Sequence, residues 1–193
     1  MTAKQIRLPL TEADVSGLRA GDRVELTGFL YTARDAAHKR LAETLAAGGK
    51  LPIPLAGETI YYVGPTPAKP GQVIGSAGPT TSSRMDRYTP ALLSLGLRGM
   101  IGKGSRSDEV KERMREAKAV YFAAIGGAGA LIAKTIRSME LAAYPDLGTE
   151  AIYRLQVERF PVIVINDIAG GDLYQSPLQR FEPTGQSDPD PLC

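Results

Sequence analysis

Apolar positions in this chain come in short runs punctuated by glycine and proline, and the runs keep two different periods. Residues 23–31 (RVELTGFLY), rich in β-branched and aromatic side chains after a Gly21-Asp22 turn, predict a strand. Over residues 35–47 the period changes, because Ala37, Leu41 and Leu45 recur every four residues, as on one helix face, before Gly48-Gly49. Residues 59–63 predict a short strand closed by Gly64-Pro65, and residues 65–79 read as loop. A second helix is expected to start near Ser82 or Ser83, with Met85, Tyr88, Leu92 and Leu95 at three- and four-residue spacing. Met100-Ile101 inside residues 99–102 predict a short buried strand. Ser107 is a natural N-cap, Asp108-Glu109 put negative charge in a first turn, and Val110, Met114 and Ala117 mark a buried helix face. Residues 119–125 (AVYFAAI) predict a central strand ending at Gly126-Gly127-Ala128-Gly129. A helix through Leu131, Ile132, Thr135 and Ile136 and two strands, 151–155 and 161–165, complete the pattern.

Strands and helices alternate from residue 60 onward, which predicts an α/β fold. No internal repeat is visible, and no linker divides residues 1–181, so they read as one domain. Residues 182–193, built from Pro, Asp, Ser, Gly and Gln, are expected to form a disordered tail. A chain of 193 residues can bury a core without disulfide staples.

Charge and cysteine content narrow the function. Twenty-three basic against 21 acidic side chains give a net charge of +2, no bulk reason to bind nucleic acid or an anionic membrane. No apolar run approaches the roughly 20 residues that cross a bilayer. The first residues lack the apolar stretch of a signal peptide, so a cytoplasmic location is expected. Cys193 is alone and His38 is the single histidine. These counts exclude an intrachain disulfide, a Cys-rich zinc site, an iron–sulfur ligand set and a multi-histidine metal site on this chain. A Ser–His–Asp hydrolase would hang entirely on His38. Any metal chemistry must come largely from another chain.

The glycine-rich turns match neither of the common phosphate-binding patterns. Gly102-Lys103-Gly104 begins a dinucleotide fingerprint, but Ser107 stands where the last glycine belongs. A P-loop ending at Gly102-Lys103 would need glycine at 97 and a hydroxyl at 104, where the chain has Leu97 and Gly104. The segment Gly78-Pro79-Thr80-Thr81-Ser82-Ser83-Arg84-Met85-Asp86 is denser in polar groups. It sets four consecutive hydroxyls and an arginine at a loop-to-helix junction, where outward N–H groups attract anions. Capping alone needs one hydroxyl, so the segment favours an anion site. Arg34 ends a strand and precedes a helix, where α/β proteins place ligand contacts, although a solvated helix face remains the competing reading. Lys39 and Arg40 read as that solvated face. His38, three residues after Asp35, is either a local hydrogen-bond partner or a proton carrier. Lys103, between two glycines, reads as an anion contact.

Five segments then occur in a telling order: T-A-R-D-A-A-H-K-R from residue 32, Y-V-G-P-T-P from 62, G-P-T-T-S-S-R-M-D from 78, M-I-G-K-G from 100 and G-G-A-G-A from 126. Together they resemble the β subunit of two-subunit class I fumarases and L-tartrate dehydratases, equivalent to the C-terminal domain of single-chain class I fumarases, over roughly residues 5–180. The resemblance implies a swivelling, three-layer β/β/α domain within the α/β class. It implies an iron–sulfur hydro-lyase of the tricarboxylic acid cycle type, hydrating fumarate to malate. The [4Fe–4S] cluster would be carried by the cysteines of a partner α subunit, with none bound by this chain alone. By resemblance Arg34 is the substrate-carboxylate arginine, Thr80, Thr81 and Arg84 form the substrate-binding loop, and Lys103 is the substrate lysine. Thr80 corresponds to the family's proposed base, a role for which a threonine needs strong activation by neighbours. His38 stands beside it as the second candidate catalytic residue. The expected partners are a cysteine-bearing α subunit and a small dicarboxylate, in a hetero-oligomer or homodimer, with neither nucleic acid nor membrane. The alternatives are an L-tartrate dehydratase β subunit and a non-catalytic anion-binding or scaffold domain.

Overall fold

The structure is a computed structural model that describes residues 2–124 and 129–175. The expected end of the central strand at Ile125, the turn at Gly126-Gly127-Ala128 and the 182–193 tail lie outside the described residues. Strand β1 (Lys4–Arg7) and helix α1 (Glu12–Ser16) come first, followed by β2 (Arg23–Thr32), α2 (Asp35–Ala46) and β3 (Thr59–Tyr61). A 3-10 turn (Ser82–Met85), α3 (Thr89–Leu93), β4 (Gly99–Gly102), α4 (Asp108–Glu116) and β5 (Val120–Ala123) continue the chain. It closes with α5 (Gly129–Ala133), β6 (Ile136–Ala143), a 3-10 segment (Pro145–Glu150) and β7 (Ile152–Asn166). The molecule is mixed α/β with a sheet-dominated core, as the alternating pattern predicts.

Strands β1 to β5 run parallel in chain order, and β7 lies antiparallel beside β5. The opposite edge of β7 pairs with β2 from Arg23↔Ile163 to Tyr31↔Arg154. Strands β2, β3, β4, β5 and β7 therefore form a closed ring of pairings, which leaves few edges to protect. Side chains alternate across the sheet with period two. Tyr61, Val63, Val120 and Phe122 enter one buried cluster with Leu26, Leu30 and Phe160. Ile60, Tyr62 and Tyr121 enter a second cluster under α2, α3 and α4, with Leu41, Leu92 and Met114.

Local signals explain the helices that the pattern predicts. Ser107 Oγ accepts from the Val110 N–H at 3.3 Å, and Asp108 and Glu109 occupy the first turn of α4. The single helix expected from about residue 82 to 95 is instead divided. Pro90 in the first turn of α3 has no N–H to continue a ladder from the preceding turn, so the chain forms a 3-10 turn, a break and a new short helix. The helix expected through Ile136 stops at Ala133, and Ile136 opens an edge strand. The two strands expected at 151–155 and 161–165 are one 15-residue strand. Arg159 takes a left-handed conformation at φ 52° within it, and its N–H bonds to Thr27 Oγ1 at 3.0 Å, so pairing resumes beyond the irregularity. Strand β1 and helix α1 are too short to leave a periodic signature. Because β2, β3 and β4 are parallel, Thr32, Tyr61 and Gly102 end at the same edge of the sheet, where ligand contacts concentrate in α/β folds.

Candidate functional site

The hydroxyl-rich loop is held against that edge by its backbone. The Thr80 N–H donates to the Tyr62 carbonyl at 2.7 Å, the Lys103 N–H donates to the Thr80 carbonyl at 3.3 Å, and the Ser82 N–H donates to the Lys103 carbonyl at 2.9 Å. Thr81 and Lys103 thus form a parallel bridge just past the ends of β3 and β4. A Cβ at Gly102 would overlap Ser82 Oγ, so only glycine lets the loop approach this closely. Buried Ser82 Oγ shares a hydrogen bond with Tyr121 Oη at 2.8 Å, and Tyr121 Oη donates to the Gly104 carbonyl at 2.8 Å. Gly104, at φ 79°, supplies the left-handed turn that follows. Among the described residues the exposed Lys103 ammonium has neither a hydrogen bond nor an ion pair. Thr81 occupies the N-cap position of the 3-10 turn but makes no side-chain capping bond. Capping therefore does not account for the threonines.

Arg34 and Arg84 approach from the α2 side. Arg34 is the N-cap of α2, and its guanidinium lies 3.5 Å from Asp35 Oδ2 through Nε and 3.5 Å from Glu150 Oε1 through Nη2. Glu150 is itself fixed, because its other oxygen accepts the Ala36 N–H at 3.1 Å. Gly64 leaves room for the arginine: a Cβ there would sit 2.8 Å from Arg34 Nη1. Arg84 reaches back to α2, with Nε 2.7 Å from Asp35 Oδ1, while half of its side chain stays exposed. Lys39 and Arg40 pair instead with Glu43 and Asp146 on the outer helix face, the solvated role expected of them.

His38 is wholly buried beneath this cluster, 5.2 Å from the Tyr62 ring and 6.4 Å from the Tyr88 ring. The Arg34 carbonyl accepts both the His38 N–H at 2.8 Å and the His38 Nδ1–H at 3.0 Å. Burial pushes the imidazole down to about 4, with the Arg34 carbonyl opposing the shift, so the ring is neutral near pH 7. Of its two expected roles, the local hydrogen bond is the one visible in the geometry.

Three groups escape sequence reasoning. Asp35 bridges the two arginines and Glu150 holds one of them. Arg106 lies with no side-chain exposure behind the loop. Its Nε donates to Asp86 Oδ1 at 2.7 Å and its Nη2 to Thr89 Oγ1 at 2.8 Å, with the Tyr62 and Tyr121 rings on its faces. Asp86 Oδ2 also accepts the Ser107 N–H at 2.7 Å, tying the end of the 3-10 turn to the start of α4. Nothing local in the sequence couples these positions.

Among the described residues no group of three or more His, Cys, Asp or Glu side chains is placed to hold a metal ion. An iron–sulfur cluster needs several thiolates, and one cysteine and one histidine do not fit it. Among the described residues no helix is long and apolar enough to cross a membrane.

A family model described as "Fumarase C-terminus" matches residues 1–177. The anaerobic class I fumarate hydratase of Escherichia coli (strain K12) is 39% identical over 170 residues, covering 87% of this chain and 31% of that protein. Fumarate hydratase 2 of Leishmania major is 38% identical over 160 residues, 82% of this chain and 28% of that protein. A Methanocaldococcus jannaschii protein assigned as an L(+)-tartrate dehydratase subunit beta is 38% identical over 172 residues, 86% of this chain and 88% of that protein. The chain thus spans about a third of the length of these two fumarate hydratases and is nearly coextensive with the β subunit.

Proposed function

The chain belongs to the fumarase C-terminus family, and on that premise we propose that it is the substrate-clamping β subunit of a hydro-lyase that reversibly hydrates fumarate to malate. The observation that carries the reading is the meeting of Arg34, Arg84, Lys103, Thr80 and Thr81 at one sheet edge, held there by the backbone of residues 62, 80, 82 and 103 and by Asp35.

Hydration of a dicarboxylate asks for charge at two ends and a proton carrier between them. Arg84 offers a planar fork that can take a carboxylate with two parallel bonds, and Arg34, whose Nε and Nη2 face Asp35 and Glu150, adds a second positive charge. Lys103, a cation without a partner among the described residues, offsets the negative charge that grows on a carboxylate as the adjacent carbon loses its proton. In this reading Thr80 carries that proton and Thr81 orients the substrate, while His38 positions Arg34 by gripping its carbonyl. A cluster as Lewis acid would belong to a cysteine-bearing α subunit, since this chain's donors do not fit it, and activity would depend on that partner. We read the closed sheet with helices over its outer face as a swivelling three-layer β/β/α domain closing on the partner, in a cytoplasmic hetero-oligomer. A second reading, tartrate dehydration, draws support from the nearly coextensive M. jannaschii relative, whose name carries that activity. The clamps suit either dicarboxylate.

The test is Arg84→Lys in the complex with the α subunit. Lysine keeps the charge and loses the fork, so kcat/KM is expected to fall about tenfold or more, the scale of one lost charged hydrogen bond. Unchanged kcat/KM for both fumarate and tartrate would return Arg84 to a plain surface ion pair with Asp35.

A further inference from the structure

The two arginines that the proposed function assigns to substrate carboxylates carry like charges, and half of the Arg84 side chain is exposed. One carboxylate faces both. We propose that Asp35 is a positioning residue that holds the Arg84 and Arg34 guanidinium groups on a common side of the site, leaving the outer nitrogens of Arg84 for the substrate. The inference rests on that functional reading and extends it to a residue that touches no substrate.

An aspartate in the first turn of a helix has an ordinary explanation, since negative charge there complements the helix dipole. That explanation requires no arginine partner. Here Asp35 Oδ1 forms an ion pair with Arg84 Nε at 2.7 Å, while Asp35 Oδ2 and Arg34 Nε face each other at 3.5 Å. Both of those facing atoms are buried and without a hydrogen bond in the described structure, so they rely on each other electrostatically. The 2.7 Å ion pair draws the Arg84 guanidinium toward the start of α2. It also removes much of the side-chain freedom that a carboxylate ligand would otherwise have to quench. Glu150 does the corresponding service for Arg34 from the opposite side, at 3.5 Å and with an anchor on the Ala36 N–H. Among the described residues Asp35 alone contacts both cations.

The measurement is a double-mutant cycle in the two-subunit complex, with fumarate and malate as substrates. Asp35→Asn keeps the shape and removes the charge. It is expected to raise KM about tenfold while kcat changes less than about threefold, the pattern of a lost ground-state alignment. Asp35→Glu, which restores the charge, should recover part of the loss. In an Arg84→Gln background Asp35→Asn should add less than about twofold, because a residue acting through Arg84 has nothing left to position. Effects that multiply, a lowered KM, or a lower melting temperature at unchanged KM would each overturn the inference. A lowered KM would mean that Asp35 competes with substrate for the arginines. If Arg84→Gln by itself leaves KM and kcat unchanged, the clamp reading falls and this inference falls with it. If Arg84→Gln acts but Asp35→Asn is independent of it, only the role of Asp35 falls.

Discussion

Replacing Thr80 by valine is expected to lower turnover of the complex by about 10²–10⁴-fold, the usual contribution of a positioned acid/base, with a smaller effect on KM. The substitution is clean because Thr80 is located by its backbone, through the Tyr62 carbonyl and the Lys103 N–H, and not by its hydroxyl. Valine retains the branched shape and both backbone bonds. Exchange of solvent deuterium into the carbon-bound position of malate should vanish in Thr80→Val. It should persist in Thr81→Val, which is expected mainly to weaken binding, by about 1.5–3 kcal/mol for a lost hydrogen bond to a charged group. Persistent exchange in Thr80→Val, with only a lower melting temperature, would make the loop structural and remove Thr80 as the proton carrier.

The largest expected effect on stability lies behind the loop. Arg106→Leu should destabilise the fold by about 3–5 kcal/mol, because it leaves the Asp86 carboxylate largely buried without its cation. The loss adds to that of the Thr89 and Tyr62 hydrogen bonds and of two aromatic faces. At roughly 2–4 °C per kcal/mol for a domain of this size, the melting temperature should fall by about 6–20 °C in a thermal scan followed by circular dichroism. Pairing Arg106→Leu with Asp86→Leu should cost much less than the sum of the single changes, since no orphaned charge remains. A melting temperature within about 2 °C of wild type for Arg106→Leu would contradict this account of the pair.

The sequence carries the local half of this architecture. The Ser107 cap, the α2 periodicity, the strands at 59–63 and 99–102 and the glycines around Lys103 are written in neighbouring residues, and the structure reproduces them. Ring closure by β7 is not, because it depends on pairings with β2 across most of the chain and on one left-handed arginine at 159. The half-exposed β6 has too weak an alternation to stand out beside a helix-like run of alanine and isoleucine. At the site, the residue types at 34, 80, 81, 84 and 103 can be picked out because loops and strand ends expose them as unusual polar groups. Their supports cannot. Asp35 resembles any helix-opening aspartate, Glu150 belongs to a distant segment, and Arg106 resembles a surface arginine until the fold buries it.

We propose that this chain supplies clamps and proton carrier while a second chain supplies the cluster. Anaerobic purification of the chain alone, the cysteine-bearing α subunit alone and the two together, with iron–sulfur absorbance and hydration of fumarate measured on each, tests it directly. The account predicts no cluster absorbance and no hydro-lyase activity for this chain alone, and both for the pair. Stoichiometric cluster binding by the isolated chain, or a cluster-loaded pair inactive on fumarate, malate and tartrate alike, would contradict it.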